Sequence, residues 1–308
     1  MKSLFSKRKT VILHLVFGVI LLAVIVLAFF KYCEEMVSLK SDIYYHLQTA
    51  QADSKIDFTE YPSITTEEGE WYQDAPLIYH AGGGIDGLAY SNSQEALEKT
   101  LENGSYFVEI DFMYTSDGEL ICMHEWENQW DSEAIPSLQE FKAGRVYGKY
   151  TTMTAKELIG YMAEYPELHI IIDTKEGDQV EVVKTLVELS SYNTDITNRF
   201  IIQLYADGVK SEIQEIYPFR DSNYLFTVYK YGDRFPNKIM KICYDENISV
   251  VTVPYDAWDE ATKQLYVEKG FVLYEHTVNR PDFAEKSLKQ GVHGFYTDFL
   301  ELDDLQAD

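Results

Sequence analysis

Residues 106–124 read YFVEIDFMYTSDGELICMH, and this stretch decides the fold. Two apolar runs flank the turn sequence SDG at 116–118. Asp-Gly is typical of a tight hairpin. Only seven residues separate Asp111 from Glu119, whereas a parallel crossover needs about a dozen or more. The second run therefore predicts an antiparallel return strand that brings His124 back beside Asp111.

Short apolar runs recur from residue 76 onward, and helical stretches such as SQEALEKTLENG lie between most of them. This alternation predicts parallel βα units, whose strands are buried on both faces. The strand candidates are 76–80, 106–111, 119–124, 169–175, 199–205, 223–229, 248–254, 271–279 and 293–298. Without the return strand, eight parallel strands remain, which is the count of a (β/α)8 TIM barrel.

The N-terminal region predicts a membrane anchor. Residues 10–30 are almost wholly apolar, and a helix of this length spans roughly 30 Å. The long apolar core, with no small-residue cleavage pattern after it, favours an uncleaved anchor over a cleaved signal peptide. The basic tail at 1–9 then lies in the cytoplasm. We expect a single-pass protein of the cell membrane, with a stalk at 31–75 and an extracytoplasmic barrel at 76–308.

Composition narrows the class of partner. The chain has 26 Lys+Arg against 51 Asp+Glu, a formal net charge of -25. This balance argues against a nucleic-acid partner, which requires a basic surface. The three cysteines have no metal-site or disulfide spacing.

Polar side chains end several predicted strands. Glu109 and Asp111 point to the same face of their strand because side chains alternate. The other polar residues at strand ends are His80, Asp173, Lys175, Gln203 and Asn279. The carboxyl ends of the strands form the rim where TIM barrels carry their sites. A pair of salt-bridged acids is the simpler interpretation of the two carboxylates alone.

The residue types at this rim indicate a particular chemistry. Carboxylates without a cysteine ligand favour a hard divalent cation, Ca²⁺ or Mg²⁺. Such a cation polarises a phosphoryl oxygen. Two histidines beside it are suited to acid–base catalysis, and Lys175 is suited to offsetting phosphoryl charge.

An ordered series of motifs resembles the signature of glycerophosphodiester phosphodiesterases. The series is HAGG (80–83), NSxEA (92–96), EID (109–111), TSDG (115–118), HE (124–125), DTK (173–175), HTVN (276–279) and GVHGFYTD (291–298). The resemblance covers residues 76–298. It implies a (β/α)8 barrel, a divalent cation, and hydrolysis of a glycerol-linked phosphodiester to an alcohol and a glycerol phosphate.

The resemblance also implies roles for individual residues. His80 and His124 correspond to the family's general acid and base, and Lys175 to its phosphate-contacting lysine. The residues that correspond to its metal ligands are Glu109, Asp111 and Asp173. We expect Gln203 and Asn279 to bind substrate or phosphate. Expected substrates are glycerophosphodiesters, phospholipids or polyglycerol-phosphate polymers.

Three departures from the family pattern leave the substrate open. Ala81 follows His80 where the family usually has arginine, Asp173 replaces a usual glutamate, and His276 stands where tryptophan is common. A phospholipase-like enzyme that forms a cyclic phosphate and a catalytically silent envelope-binding protein are the alternatives. Between His124 and Asp173, the aromatic residues of the predicted inserted region either form a cap over the site or simply pack together; they are Trp126, Trp130, Tyr147 and Tyr150.

Overall fold

The computed structural model describes residues 57, 59, 61–66, 68–130, 134–228 and 235–305. The predicted basic tail (1–9), anchor (10–30) and most of the predicted stalk (31–75) lie outside these residues. Among the helices that are described, none has the length and apolar character needed to span a bilayer. The described residues from 59 onward belong to one compact unit that covers residues 58–308.

Ten strands form one continuous sheet. They are β1 (Leu77–Tyr79), β2 (Phe107–Tyr114), β3 (Leu120–Cys122), β4 (Met153–Thr154), β5 (His169–Thr174), β6 (Phe200–Leu204), β7 (Tyr224–Thr227), β8 (Val250–Pro254), β9 (Val272–His276) and β10 (Gly294–Thr297). Eight of them run parallel, and β1 pairs with both β10 and β2. The sheet therefore closes into the predicted eight-stranded parallel barrel.

The predicted hairpin is present at the end of β2. Strand β3 pairs antiparallel with β2 and β4 pairs antiparallel with β3, so neither belongs to the parallel barrel. Gly118 has a φ of 84°, a conformation that glycine adopts without steric cost. The backbone N–H of Met123 donates to the carbonyl of Asp111 at 2.9 Å. The return strand thereby places His124 next to the end of β2.

Helices connect most of the parallel strands, as the sequence pattern predicts. They are α1 (Gln94–Glu102), α2 (Leu138–Ala143), α3 (Ala155–Glu164), α4 (Gln179–Leu189), α5 (Thr194–Thr197), α6 (Val209–Ile216), α7 (Pro236–Asp245), α8 (Glu260–Glu268) and α9 (Pro281–Lys289). Side chains cap several helix starts. Ser137 and Thr154, for example, each form a capping box with the glutamate three residues later.

Strand register determines which side chains share the barrel interior. In the β2–β5 pair, Glu109 lies beside Ile171 and Asp111 lies beside Asp173. Ile171 belongs to a buried apolar cluster that fills the interior toward the N-terminal ends of the strands. The interior is therefore apolar at that end and acidic at the carboxyl-end mouth.

Residues just before β1 pack against the barrel, although the sequence assigned them to the stalk. Trp71 and Tyr72 form a short 3-10 helix with neighbouring residues, and both side chains are buried in the apolar cluster. The ring of Trp71 stacks on Tyr274 with centroids 6.0 Å apart. Large aromatic side chains lose much water-exposed apolar surface on burial, which favours this packing over an extended stalk.

Lys263 and Glu275 form a buried ion pair between α8 and β9. Their Nζ and Oε1 atoms are 2.5 Å apart, and the side chains are 7% and 0% exposed. Lys263→Met leaves the Glu275 carboxylate buried without this partner, so we expect a loss of about 3–5 kcal/mol in the free energy of unfolding. Urea unfolding followed by circular dichroism measures this loss.

Lys289→Met is the matched control for the buried pair. Lys289 pairs with Glu285 on an exposed face of α9, so we expect a loss below about 1 kcal/mol. Equal losses in the two variants would contradict a stabilising role for the buried pair.

Candidate active site

A cavity of about 360 Å³ opens at the carboxyl ends of the barrel strands. It is lined by His80, Tyr90, Glu109, His124, Asp173, Lys175, Gln203, Thr227, Pro254, Tyr255, Asp256, His276, Thr277 and Tyr296. These residues come from the ends of most parallel strands and from the loops that follow them. The cavity therefore occupies the rim at which the sequence placed the site.

Three buried carboxylates converge beside this cavity. Glu109, Asp111 and Asp173 are 1%, 0% and 7% exposed, and each offers an oxygen within 4.8 Å of the others. Burial, together with the charge of Asp111, raises the pKa of Glu109. Burial also acts to raise the pKa of Asp111, but the Lys175 ammonium and the nearby imidazoles outweigh it and hold this pKa below its usual range.

Lys175 lies between two of the acids. Its Nζ is 2.9 Å from Asp111 Oδ1 and 2.7 Å from Asp173 Oδ2. Burial opposes the charged form, but the two carboxylates outweigh burial and raise the pKa of Lys175. The ammonium therefore stays charged and neutralises part of the acidic cluster.

The donor set fits a hard divalent cation. All three candidate ligands offer carboxylate oxygen, which calcium and magnesium prefer. Glu109 Oε1 is buried and has no hydrogen-bond partner among the described residues, so one oxygen remains available to a ligand. The acidic cluster is thus able to hold a metal ion, and its oxygen donors do not distinguish Ca²⁺ from Mg²⁺.

His80 begins the loop after β1 and is held from behind by Asp298. Its Nδ1 donates to Asp298 Oδ1 at 2.9 Å, and its Nε2 lies 3.8 Å from Glu109 Oε2. Burial acts to lower the pKa of His80, but the Asp298 hydrogen bond and the charge of Glu109 raise it to about 9. Asn279 in turn donates from Nδ2 to Asp298 Oδ2 at 2.7 Å.

His124 contacts the same tyrosine ring, that of Tyr90, as His80 does. The Tyr90 ring centroid is 4.6 Å from that of His80 and 4.5 Å from that of His124. Burial lowers the pKa of His124, which favours the neutral imidazole. The hairpin therefore brings the second predicted histidine to the same cavity as the first.

Asn92 supports the metal-candidate acids. Its Nδ2 donates to Asp111 Oδ2 at 2.7 Å, and its Oδ1 accepts from the Asp111 backbone N–H at 3.0 Å. The N-cap of α1 is Ser93, whose side chain accepts from the Ala96 backbone. Asn92 therefore contacts a residue of the site and does not cap the helix.

The other predicted binding residues differ in position. Gln203 lines the cavity, and its Oε1 accepts hydrogen bonds from Thr227 and Tyr296 at 3.1 Å each. Asn279 positions the last strand's loop instead: besides donating to Asp298, its Oδ1 accepts from Asp298 N at 2.8 Å. Substrate binding by Gln203 and Asn279 stays a prediction.

Sequence reasoning gave no role to three further groups. Asp298 orients His80, Tyr205 hydrogen-bonds to Asp173 through its hydroxyl, and Tyr90 contacts both histidines. Asp298 was the most accessible to prediction, because it ends a strand at the same rim as the other polar residues. Tyr90 lies in a loop, and no strand pattern gives its position.

The aromatic residues of the predicted inserted region pack together. Trp126, Trp130 and Tyr147 surround a buried group that includes Phe141 and Tyr150. The rings of Trp130 and Phe141 stack with centroids 5.3 Å apart. None of the four aromatic residues singled out from the sequence lines the described cavity, so packing accounts for them better than a cap.

No protein-family model and no curated protein matches the chain. Solved structures do match. A phosphodiesterase from Oleispira antarctica, solved in complex with the product sn-glycerol-3-phosphate, is 18% identical with a TM-score of 0.60, and the match covers 74% of this chain and 95% of that chain.

Two glycerophosphodiester phosphodiesterases are similar to a comparable degree. The protein from Parabacteroides distasonis is 18% identical with a TM-score of 0.56, covering 72% of this chain and 92% of that chain. The one from Thermotoga maritima is 20% identical with a TM-score of 0.54, covering 72% and 94%. The chain therefore shares its barrel fold with structures of glycerophosphodiester phosphodiesterases.

Asn92→Ala removes both hydrogen bonds to Asp111. It leaves a buried carboxylate and a buried N–H each short of one partner, so we expect a loss of about 2–4 kcal/mol in the free energy of unfolding. Urea unfolding followed by tryptophan fluorescence measures it.

Asn247→Ala controls for the backbone contribution. Asn92 and Asn247 both have a left-handed φ, at 47° and 59°, but the Asn247 side chain bonds to Asp221 on an exposed surface. For this variant we expect a loss of about 1 kcal/mol in the free energy of unfolding. The contact with Asp111 would be unimportant if both variants lost the same amount.

Proposed function

We propose that this protein is a metal-dependent phosphodiesterase that hydrolyses glycerol-linked phosphodiesters. The observation that carries the proposal is the convergence of three buried carboxylates, a lysine and two histidines at the barrel mouth. The fold shared with glycerophosphodiester phosphodiesterases supports it. The product found in the Oleispira antarctica structure supports a glycerol phosphate as one half of the substrate.

Glu109, Asp111 and Asp173 would hold the divalent cation. When bound, the cation supplies Lewis-acid polarisation of a phosphoryl oxygen. Asn92 fixes the orientation of Asp111 through two hydrogen bonds, and Tyr205 does the same for Asp173. The ligands are thus held in place before substrate arrives, which lowers the cost of ordering them.

Lys175 binds the phosphoryl group in this proposal. Among the described residues that line the cavity, it is the one lysine or arginine. Its ammonium is already at the acidic cluster, and a phosphoryl oxygen beside it would receive a charge-assisted hydrogen bond. The charge that develops on the phosphoryl oxygens is thereby offset.

His80 and His124 move the protons of the reaction. A hydroxyl, from water or from the glycerol moiety itself, forms the new P–O bond and gives its proton to one imidazole. The other imidazole protonates the alcohol oxygen as its P–O bond breaks. Asp298 holds His80 in the tautomer with Nδ1 protonated, so that Nε2 faces Glu109 and the cavity. Such acid–base groups contribute about 100-fold to 10,000-fold.

Hydrolysis of a glycerophosphodiester, a lysophospholipid or a polyglycerol phosphate by the full-length protein tests the proposal. We expect release of a phosphomonoester that falls at least about 100-fold in EDTA and returns with Ca²⁺ or Mg²⁺. His80→Gln and His124→Gln should each lower kcat by about 100-fold or more, because each removes one proton-transfer group. Phosphorus NMR measures the products and separates a cyclic phosphate from a monoester.

His169→Gln is the matched control for the histidine variants. His169 starts β5 at the other end of the barrel, where its Nδ1 bonds to the Glu167 carbonyl. This variant should keep wild-type activity. Undiminished hydrolysis in EDTA, or in both active-site variants, would refute the proposed chemistry, and binding of diesters without turnover would favour the silent binding protein.

We also propose that residues 10–30 anchor the protein in the cell membrane with the barrel outside the cytoplasm. The apolar segment and the basic residues before it support this arrangement. We expect the full-length protein to stay with membranes after an alkaline carbonate wash, and protease added to intact spheroplasts to degrade the barrel. Intact full-length chain in the soluble fraction, or a barrel protected from the protease, would exclude it.

A further inference from the structure

The ring of Tyr90 contacts both histidines. It contacts His80 edge-on and His124 at an interplanar angle of 54°, with both centroid distances below 5 Å. The side chain lines the cavity and is 37% exposed. Its φ of 61° is left-handed, a conformation that non-glycine residues rarely adopt. A strained backbone therefore directs an aromatic ring against two groups proposed to transfer protons.

The two imidazoles are held in different ways. His80 has a hydrogen bond from Nδ1 to a carboxylate. His124 Nδ1 is buried and has no hydrogen-bond partner among the described residues. A hydrogen bond therefore fixes the ring orientation of His80, whereas packing against Tyr90 limits that of His124.

The inserted region, residues 125–150, holds the loop that carries Tyr90. Gln129 Nε2 donates to the Tyr90 carbonyl at 2.7 Å. The Tyr147 hydroxyl donates to the carbonyl of Ala89 at 3.1 Å, and the Tyr150 hydroxyl donates to Asp86 Oδ2 at 2.9 Å. Three side chains of the insertion thus hold three residues of one loop.

We propose that Tyr90 is a positioning residue for His124 and that the insertion acts on the reaction by holding Tyr90 in place. This inference rests on the proposed function, because it concerns a histidine of that site. Proton transfer requires the imidazole nitrogen to be within hydrogen-bond reach of the reacting oxygen. A ring that rotates freely spends less time in that geometry, and the rate of the chemical step falls.

Kinetics of two Tyr90 variants test the proposal. Tyr90→Leu removes the ring and keeps a side chain that is unbranched at Cβ, so the backbone strain is matched. We expect its kcat to fall about 10-fold to 100-fold while KM changes less than about 3-fold. Tyr90→Phe keeps both ring contacts and should restore kcat to within about 3-fold of wild type. A rise in KM with unchanged kcat would overturn the proposal and assign Tyr90 to substrate binding.

NMR of histidine gives a readout that does not depend on activity. The full-length protein is labelled at the imidazole Cε1 carbon, and the signals are assigned with His124→Gln and His80→Gln. In Tyr90→Leu we expect faster relaxation-detected motion of the His124 ring and an unchanged His80 ring. An unchanged His124 ring would overturn the positioning role even if the protein proved to have no phosphodiesterase activity.

Gln129→Met provides a second route should Tyr90→Leu fail to fold. It keeps the length of the side chain but removes the donor to the Tyr90 carbonyl and to the Tyr147 hydroxyl, together with the acceptor for the Glu125 N–H. We expect the same two effects as in Tyr90→Leu, but smaller: greater motion of the His124 ring and a fall in kcat of about 3-fold to 10-fold. Tyr192→Ala, an exposed tyrosine at the end of α4, should alter neither measurement. A rigid His124 and a normal kcat in Gln129→Met would show that the insertion does not act through Tyr90.

Discussion

The site depends on one constraint: Asp111 and Asp173 lie side by side in neighbouring strands, inside the barrel and away from water. Two like charges about 4 Å apart repel by roughly 4 kcal/mol in surroundings of intermediate polarity. A cation must offset this repulsion. Lys175 follows Asp173 by two residues and so extends from the same strand end toward the same pair. The local sequence DTK thus contributes one of the two repelling carboxylates and the ammonium group that partly neutralises them.

The second half of the site depends on the length of β2. The strand continues past the rim, turns at residues 116–118 and returns as β3. A chain that entered a helix directly after Asp111 would have no element at this point to carry His124. The same extension provides β3 as a partner for β4 and thereby supports the insertion that holds the loop around Tyr90.

The barrel and the convergence of the main site residues follow from sequence because they depend on short-range regularities. Apolar runs define strands, alternation defines faces, and parallel strands bring their carboxyl ends to one rim. The hairpin was predictable for a similar reason, because seven residues exclude a parallel crossover. The meeting of Glu109, Asp111, Asp173 and Lys175 at one rim was therefore predictable.

The positions of the other residues depend on contacts between distant parts of the chain, which no local sequence pattern predicts. Tyr90 reaches the histidines through a loop with a left-handed backbone at non-glycine positions, which propensity does not indicate. The sequence around Trp71 is polar and predicts a stalk. The burial of Trp71 depends instead on the apolar cluster at the N-terminal ends of the barrel strands. Asn279 ends a predicted strand like the other rim residues, yet its amide is engaged by the Asp298 loop.

Because Ala81 carries no charge, the cavity depends on a bound cation to offset its negative charge. Ala81 is fully buried with a φ of 50°, and its N–H donates to Glu109 Oε2 at 2.7 Å. It adds no positive charge where the family pattern has arginine. With all three carboxylates counted as ionised, the cluster and Lys175 sum formally to -2, and a protonated His80 leaves this sum unchanged because Asp298 pairs with it. A phosphodiester is itself an anion, so this cavity would repel it. A divalent cation would cancel this formal charge of -2 and so remove the repulsion of the same anion. Substrate binding should therefore be coupled to cation binding more tightly here than in a barrel that keeps the arginine.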